Sequence, residues 1–105
     1  MLSQKEIQLI VNKIEKSVNP NEIYLFGSYA SGKATETSDL DLLVVDNSSR
    51  EKNKLALEIS NLLFPREYGL ELIVASSDEI KKKQAQNFGF WIDIIKTGKK
   101  IYERN

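Results

Sequence analysis

The stretch FGSYASGKATETSDLDLLVV, Phe26 to Val45, holds the strongest strand signal in the chain, with two charges at its head. Leu40 to Val45 is a leucine and valine run bounded by Asp46-Asn47-Ser48, which predicts a central β-strand. Asp39 and Asp41 are two residues apart, so an extended backbone points them to one face, roughly 6.5 Å apart along the chain. Burying two like charges uncompensated costs several kcal/mol. The pair therefore belongs at the solvent end of the strand, against cations, or on a metal ion.

A divalent ion fits the residue types. Magnesium takes hard oxygen ligands and typically uses one or two carboxylates together with substrate phosphates. Gly27-Ser28 offers the matching half, because glycine lets backbone approach a phosphate while the Ser28 hydroxyl and the amides of a helix start can donate to it. Each half has a plainer alternative: Gly-Ser after a strand is also an ordinary turn, and Asp-x-Asp is also a solvated edge or a helix cap. The four residue types at this spacing recur by chance in about one chain in a thousand of this length, so their joint occurrence favours a site.

Outward from this stretch the elements read clearly. Ser3 and Glu6 have capping-box spacing, and Ile7, Ile10, Val11, Ile14 and Val18 fall on one helical face. Asn19-Pro20-Asn21 breaks that helix, and Glu22 to Phe26 reads as a short buried strand ending at Gly27. Ser28 to Ser38 suits a short helical turn and a loop, with Gly32 free to adopt positive φ. Ser48 and Glu51 repeat the capping-box spacing ahead of a stripe of Leu55, Ile59, Leu62 and Leu63 that stops near Pro65. After a turn around Gly69, LELIVA predicts a third strand, and Ser76-Ser77-Asp78-Glu79 starts helical material. Phe88, Trp91, Ile92 and Ile95 recur at helical spacing before Gly98, a good residue for a helix C-terminus, and KKIYE closes as a last short strand. This order implies an α/β or α+β two-layer domain, 1–105, with a small mixed sheet backed by helices.

Composition narrows the chemistry. The 105 residues include 41% hydrophobics and four each of Tyr and Phe, enough to fold as one globular unit. Fifteen basic residues offset fifteen acidic ones, so no overall positive field argues for direct nucleic-acid binding. Cysteine and histidine are both absent, which excludes disulfides, thiolate chemistry, Ser-His triads and zinc sites of His or Cys. Catalysis would rest on carboxylates, hydroxyls, amines and hard metal ions. No apolar run approaches the ~20 residues of a membrane span and no secretory h-region opens the chain, so the expected location is the cytoplasm.

Gly27-Ser28, ten intervening residues and Asp39-Leu40-Asp41 resemble the signature of the nucleotidyltransferase superfamily that includes DNA polymerase β and kanamycin nucleotidyltransferase. Length and layout resemble its minimal nucleotidyltransferase branch, often the antitoxin partner of a HEPN-domain protein. The resemblance implies nucleotidyl transfer from a nucleoside triphosphate with Mg²⁺, two ions being possible. Gly27 and Ser28 would hold the phosphates, Asp39 and Asp41 would ligate the metals, and the third carboxylate would be Glu71, where the family usually has Asp. Glutamate is one methylene longer, so it could overshoot by about an ångström, a misplacement that can cost ~10²-fold in rate. The branch further implies AMP transfer from ATP onto a hydroxyl, tyrosine foremost, of a HEPN-type toxin. Two other readings stand beside this one: a non-catalytic nucleotide-binding module that neutralises its partner by docking, and an ordinary α/β domain whose aspartates are coincidental. Lys33 and Arg50 are candidates to assist the phosphates, against the alternative of solvated surface charge. Phe88 and Trp91 read as core rather than as a base-stacking platform.

Overall fold

A computed structural model describes residues 1–105. Helix α1, Gln4–Val18, starts on a complete capping box: the Glu6 N–H donates to Ser3 Oγ at 3.1 Å and the Ser3 N–H to Glu6 Oε1 at 2.9 Å. Its five buried residues are the stripe Ile7, Ile10, Val11, Ile14 and Val18. Asn19 ends it in the left-handed region at φ 45°, which leads the chain through Pro20 into β1, Glu22–Phe26.

The remaining elements are α2 (Gly27–Ser31), β2 (Leu40–Val45), α3 (Lys52–Leu62), β3 (Leu70–Ala75), α4 (Ser77–Ala85), α5 (Gly89–Thr97) and β4 (Lys99–Glu103). The strands form one mixed sheet in the order β3-β2-β1-β4, with β2 central as its composition demands. β1 runs antiparallel to both β2 and β4, whereas β2 and β3 are parallel and joined through α3. This is the expected α/β class with a mixed sheet and backing helices.

Alternation along β2 sorts the interior into two clusters. Leu40, Leu42 and Val44 pack with α1 and α3 through Ile14, Leu55 and Ile59. Leu43 and Val45 face the other way, onto Phe26, Ala75, Ile80 of α4 and Ile94 of α5. Both faces of the sheet are therefore covered at the end where β2 finishes. Asp41 lies on the second face, one pleat before Leu43, where the helical cover gives out, and it is half-buried. No helix is long and apolar enough to cross a membrane.

Two local expectations are corrected. Ser48 does not cap α3: its hydroxyl donates to Asp46 Oδ2 at 2.7 Å, and Glu51 takes the cap by accepting from the Asn53 and Lys54 N–H groups. The stripe Phe88, Trp91, Ile92, Ile95 is only partly core. Asn87 at φ 60° separates α4 from α5, Phe88 becomes the exposed residue before α5, and the buried member of that helix is Ile94. Gly98 terminates α5 with extended backbone, and glycine is required there because a Cβ would meet the Ile94 and Leu25 carbonyl oxygens.

Candidate active site

Strand register assembles the site. In the antiparallel pair Phe26 stands opposite Asp41, and in the parallel pair Asp41 stands opposite Glu71. The end of β1 and the starts of β2 and β3 thus meet at one edge of the molecule, and Asp39, Asp41 and Glu71 share the sheet face that carries Leu43 and Ile73 further along. The Leu40 N–H donates to the Gly69 carbonyl at 2.8 Å, which extends the β2–β3 ladder to the level of the aspartates.

Gly27 is fixed by two independent demands. Its φ of +71° lies in the left-handed region, and a Cβ there would collide with the Asp41 carboxylate. The same absence of a side chain recurs at Gly69, where a Cβ would run into the Asp39 carboxylate. Each aspartate therefore lies against a glycine backbone. Ser28 opens the short helix α2 half-buried; its carbonyl accepts from the Lys33 N–H and the Ser31 hydroxyl, and its own hydroxyl has no protein partner.

Asp41 feels its neighbours strongly. Burial, the adjoining Glu71 carboxyl and the negative charges of Glu71 and Asp39 together push its pKa up to about 6. The four ion pairs in the molecule join Arg50 and Lys52 to Asp46, and Lys100 to Glu22 and Glu103, so none reaches the three carboxylates. A cluster of hard oxygen donors with mutual repulsion and no cationic side chain beside it has the chemistry that suits a divalent cation. The three are aligned but not drawn together: as they stand, no three acidic side chains converge on one point that could hold an ion.

Arg50 takes no part at this end. It donates to Asp46 Oδ1 at 2.9 Å, beyond the last residue of β2 and so at the opposite end of that strand from Asp39 and Asp41. Burial raises the pKa of Asp46, but the hydrogen bonds from Arg50 and Ser48 and the charges of Arg50 and Lys52 outweigh it and hold the carboxyl below the usual range. Lys33 is exposed just past α2, outside every ion pair. Two features near the site escaped the sequence reading: Gly69, which lies against Asp39, and Phe90, which touches Phe26. Gly69 carried a legible signal, a glycine two residues ahead of the third carboxylate; the Phe90 contact with Phe26, at 6.2 Å between ring centroids, carried none.

Comparison with known proteins identifies the family. Residues 8–105 match the family model "Polymerase beta, Nucleotidyltransferase". A Methanocaldococcus jannaschii protein, provisionally named a protein adenylyltransferase, is 29% identical over 105 residues that cover 97% of this chain and all of the relative. Among solved structures, a provisionally named nucleotidyltransferase from Sulfolobus solfataricus superposes with a TM-score of 0.63 at 22% identity, covering 95% of this chain and 79% of the other. A chain of a toxin-antitoxin structure with AMP-PNP gives a TM-score of 0.57 at 20% identity, over 93% and 74% of the two chains. A glycine-serine turn and a carboxylate row, held together by strand register within a matched segment that spans nearly the whole chain, place this protein in the polymerase β nucleotidyltransferase family, and it is a nucleotidyltransferase.

Proposed function

We propose that the protein transfers AMP from ATP onto a hydroxyl of a partner protein, as the antitoxin of a HEPN-type toxin. The observation that carries the transfer chemistry is the alignment of Asp39, Asp41 and Glu71 on one sheet face beside Gly27-Ser28. The name of the archaeal relative supports protein as the acceptor, and the nucleotide-bound toxin-antitoxin neighbour supports the setting.

Asp39 and Asp41, with Glu71, would hold Mg²⁺. When bound, the ion supplies charge neutralisation for the triphosphate and lowers the pKa of the acceptor hydroxyl. The Gly27 backbone admits the phosphates closely, and the Ser28 hydroxyl donates to them. Glu71, exposed where Asp41 is half-buried, accepts the proton of the incoming hydroxyl. The acceptor oxygen attacks the α-phosphorus in line, the bond from that phosphorus to the bridging oxygen breaks, and pyrophosphate leaves.

The test is incubation with α-labelled ATP, Mg²⁺ and the protein encoded beside it. Label on the partner, lost in Asp39→Asn plus Asp41→Asn, is the expected result; an unlabelled partner with the wild-type chain overturns the reading. One observation favours docking without chemistry as a second reading: no three acidic side chains converge on one point that could hold an ion. Partner control undiminished in the double variant would establish that alternative.

A further inference from the structure

Helix α5 leaves an aromatic side chain in the open beside the candidate site. Phe90 is 50% exposed although it is among the largest apolar residues present. Its ring is held by two edge-to-face contacts, with Phe26 at 6.2 Å and 87° and with Trp91 at 6.0 Å and 84°. These fix the plane of the ring without covering it. Phe26 in turn stands opposite Asp41 in the β1–β2 pair and directly precedes Gly27. Phe90 is therefore one ring contact and one cross-strand step from the carboxylates. The half of the ring that these contacts leave bare faces solvent. Phe88 is equally exposed but already carries the Lys83 ammonium 5.1 Å from its ring centroid.

The geometry points to Phe90 as a stacking platform for the base of the nucleoside triphosphate, a specificity-determining residue outside the carboxylate and Gly-Ser machinery. This rests on the nucleotidyl-transfer reading above. A base offers two flat apolar faces, and a rigid, half-open ring at this distance from the phosphate cradle matches one of them. Stacking of this kind accepts any base and favours the larger purine surface. It fixes the base end of the nucleotide while Gly27 and Ser28 fix the phosphate end.

Trp91 is the single tryptophan and touches Phe90, so its fluorescence reports on the platform. Titration of the full chain with ATP, CTP and inorganic tripolyphosphate, each with Mg²⁺, is followed by Trp91 emission and by calorimetry. The inference expects ATP to bind about tenfold or more tighter than tripolyphosphate, with CTP between them, and a Trp91 response to both nucleotides but not to tripolyphosphate. Phe90→Ala should erase that difference while leaving tripolyphosphate affinity unchanged, and Phe90→Tyr should retain it. Phe90→Leu keeps the apolar contact without a stacking face and should behave like Ala, which covers the case of an alanine variant that fails to fold. Equal binding of ATP and tripolyphosphate to the wild type, or an ATP affinity indifferent to Phe90→Ala, overturns the platform while leaving nucleotidyl transfer intact. Loss of partner labelling in Phe90→Ala with ATP affinity unchanged would make Phe90 a docking residue and also overturns it. If none of the three ligands binds, the phosphate cradle and the platform fall together.

Discussion

Asp41 on β2 and Glu71 on β3 are register partners in a parallel pair, so the two carboxyl groups stand side by side on one face of the sheet. Two neighbouring acids, with no ion pair to either, raise the free energy of the charged state. This juxtaposition is a cost to the fold that the site retains.

The pH dependence of stability follows from it. Asp41 is pushed up to about 6 in the folded chain, against an ordinary value of 3.8. A raised folded-state value means that the stabilising contribution is complete below the ordinary value and is lost as pH rises through about 6. Without divalent cation, the wild type should lose on the order of 1 kcal/mol between pH 4 and pH 7.5, the figure being reduced for solvent screening of a half-exposed group. Asp41→Asn should abolish this dependence and raise Tm at pH 7.5 by about 4 °C, with little effect at pH 4. Thermal melts across that range measure it.

Gly27 and Gly32 separate strain from collision. Both have positive φ, at +71° and +78°, but a Cβ would strike Asp41 at the first and nothing at the second. Gly32→Ala should cost about 1 kcal/mol from backbone strain alone. Gly27→Ala should cost about 2–3 kcal/mol and also displace Asp41. Denaturant unfolding of the two variants gives the difference directly.

Gly69→Ala isolates Asp39. Its φ is outside the left-handed region, so the new Cβ acts by crowding the exposed Asp39 carboxylate. Stability should change by less than about 0.5 kcal/mol, as for other surface substitutions. Transfer should fall about tenfold or more through misplacement of one acid. Parallel melting and labelling assays check the split.

Arg50→Ala should destabilise without touching the chemistry. It removes the 2.9 Å partner of the buried Asp46 and leaves Lys52 at 3.6 Å and Ser48. The expected loss at pH 7 is about 1–3 kcal/mol. Because Asp46 titrates below the usual carboxylate range, the pair's contribution is present above that range and vanishes as pH falls through the depressed value. Wild type and variant should therefore converge on acidification, while their labelling rates per folded molecule stay equal.

What the sequence disclosed was what is decided locally. The β2 run, the α1 stripe and the Ser3–Glu6 capping box depend on neighbours within a few residues, and each forms as its pattern dictates. Asp39 and Asp41 were legible for the same reason, since two charges at the head of an apolar strand need an explanation. Glu71 was legible only through the family resemblance, because its pairing with Asp41 is a matter of parallel register across α3. Ser48 was misread because its hydroxyl donates to Asp46, two residues back, and accepts from Arg50, which ties its oxygen away from the N–H groups of α3. The phosphate-assisting alternative for Arg50 could not be decided from sequence because closeness to β2 along the chain does not tell which end of the strand a side chain serves. The open ring of Phe90 lay hidden behind a helical stripe that Asn87 interrupts.

The central claim is that Asp39, Asp41 and Glu71 act together in nucleotidyl transfer. The most direct measurement is the rate of AMP labelling of the partner, with Mg²⁺ and ATP saturating, for wild type, Glu71→Gln and Glu71→Asp. The account expects Glu71→Gln to fall about 10²-fold and Glu71→Asp to match or exceed the wild type, since the shorter acid withdraws from Asp41. Equal rates for Glu71→Gln and the wild type would contradict it.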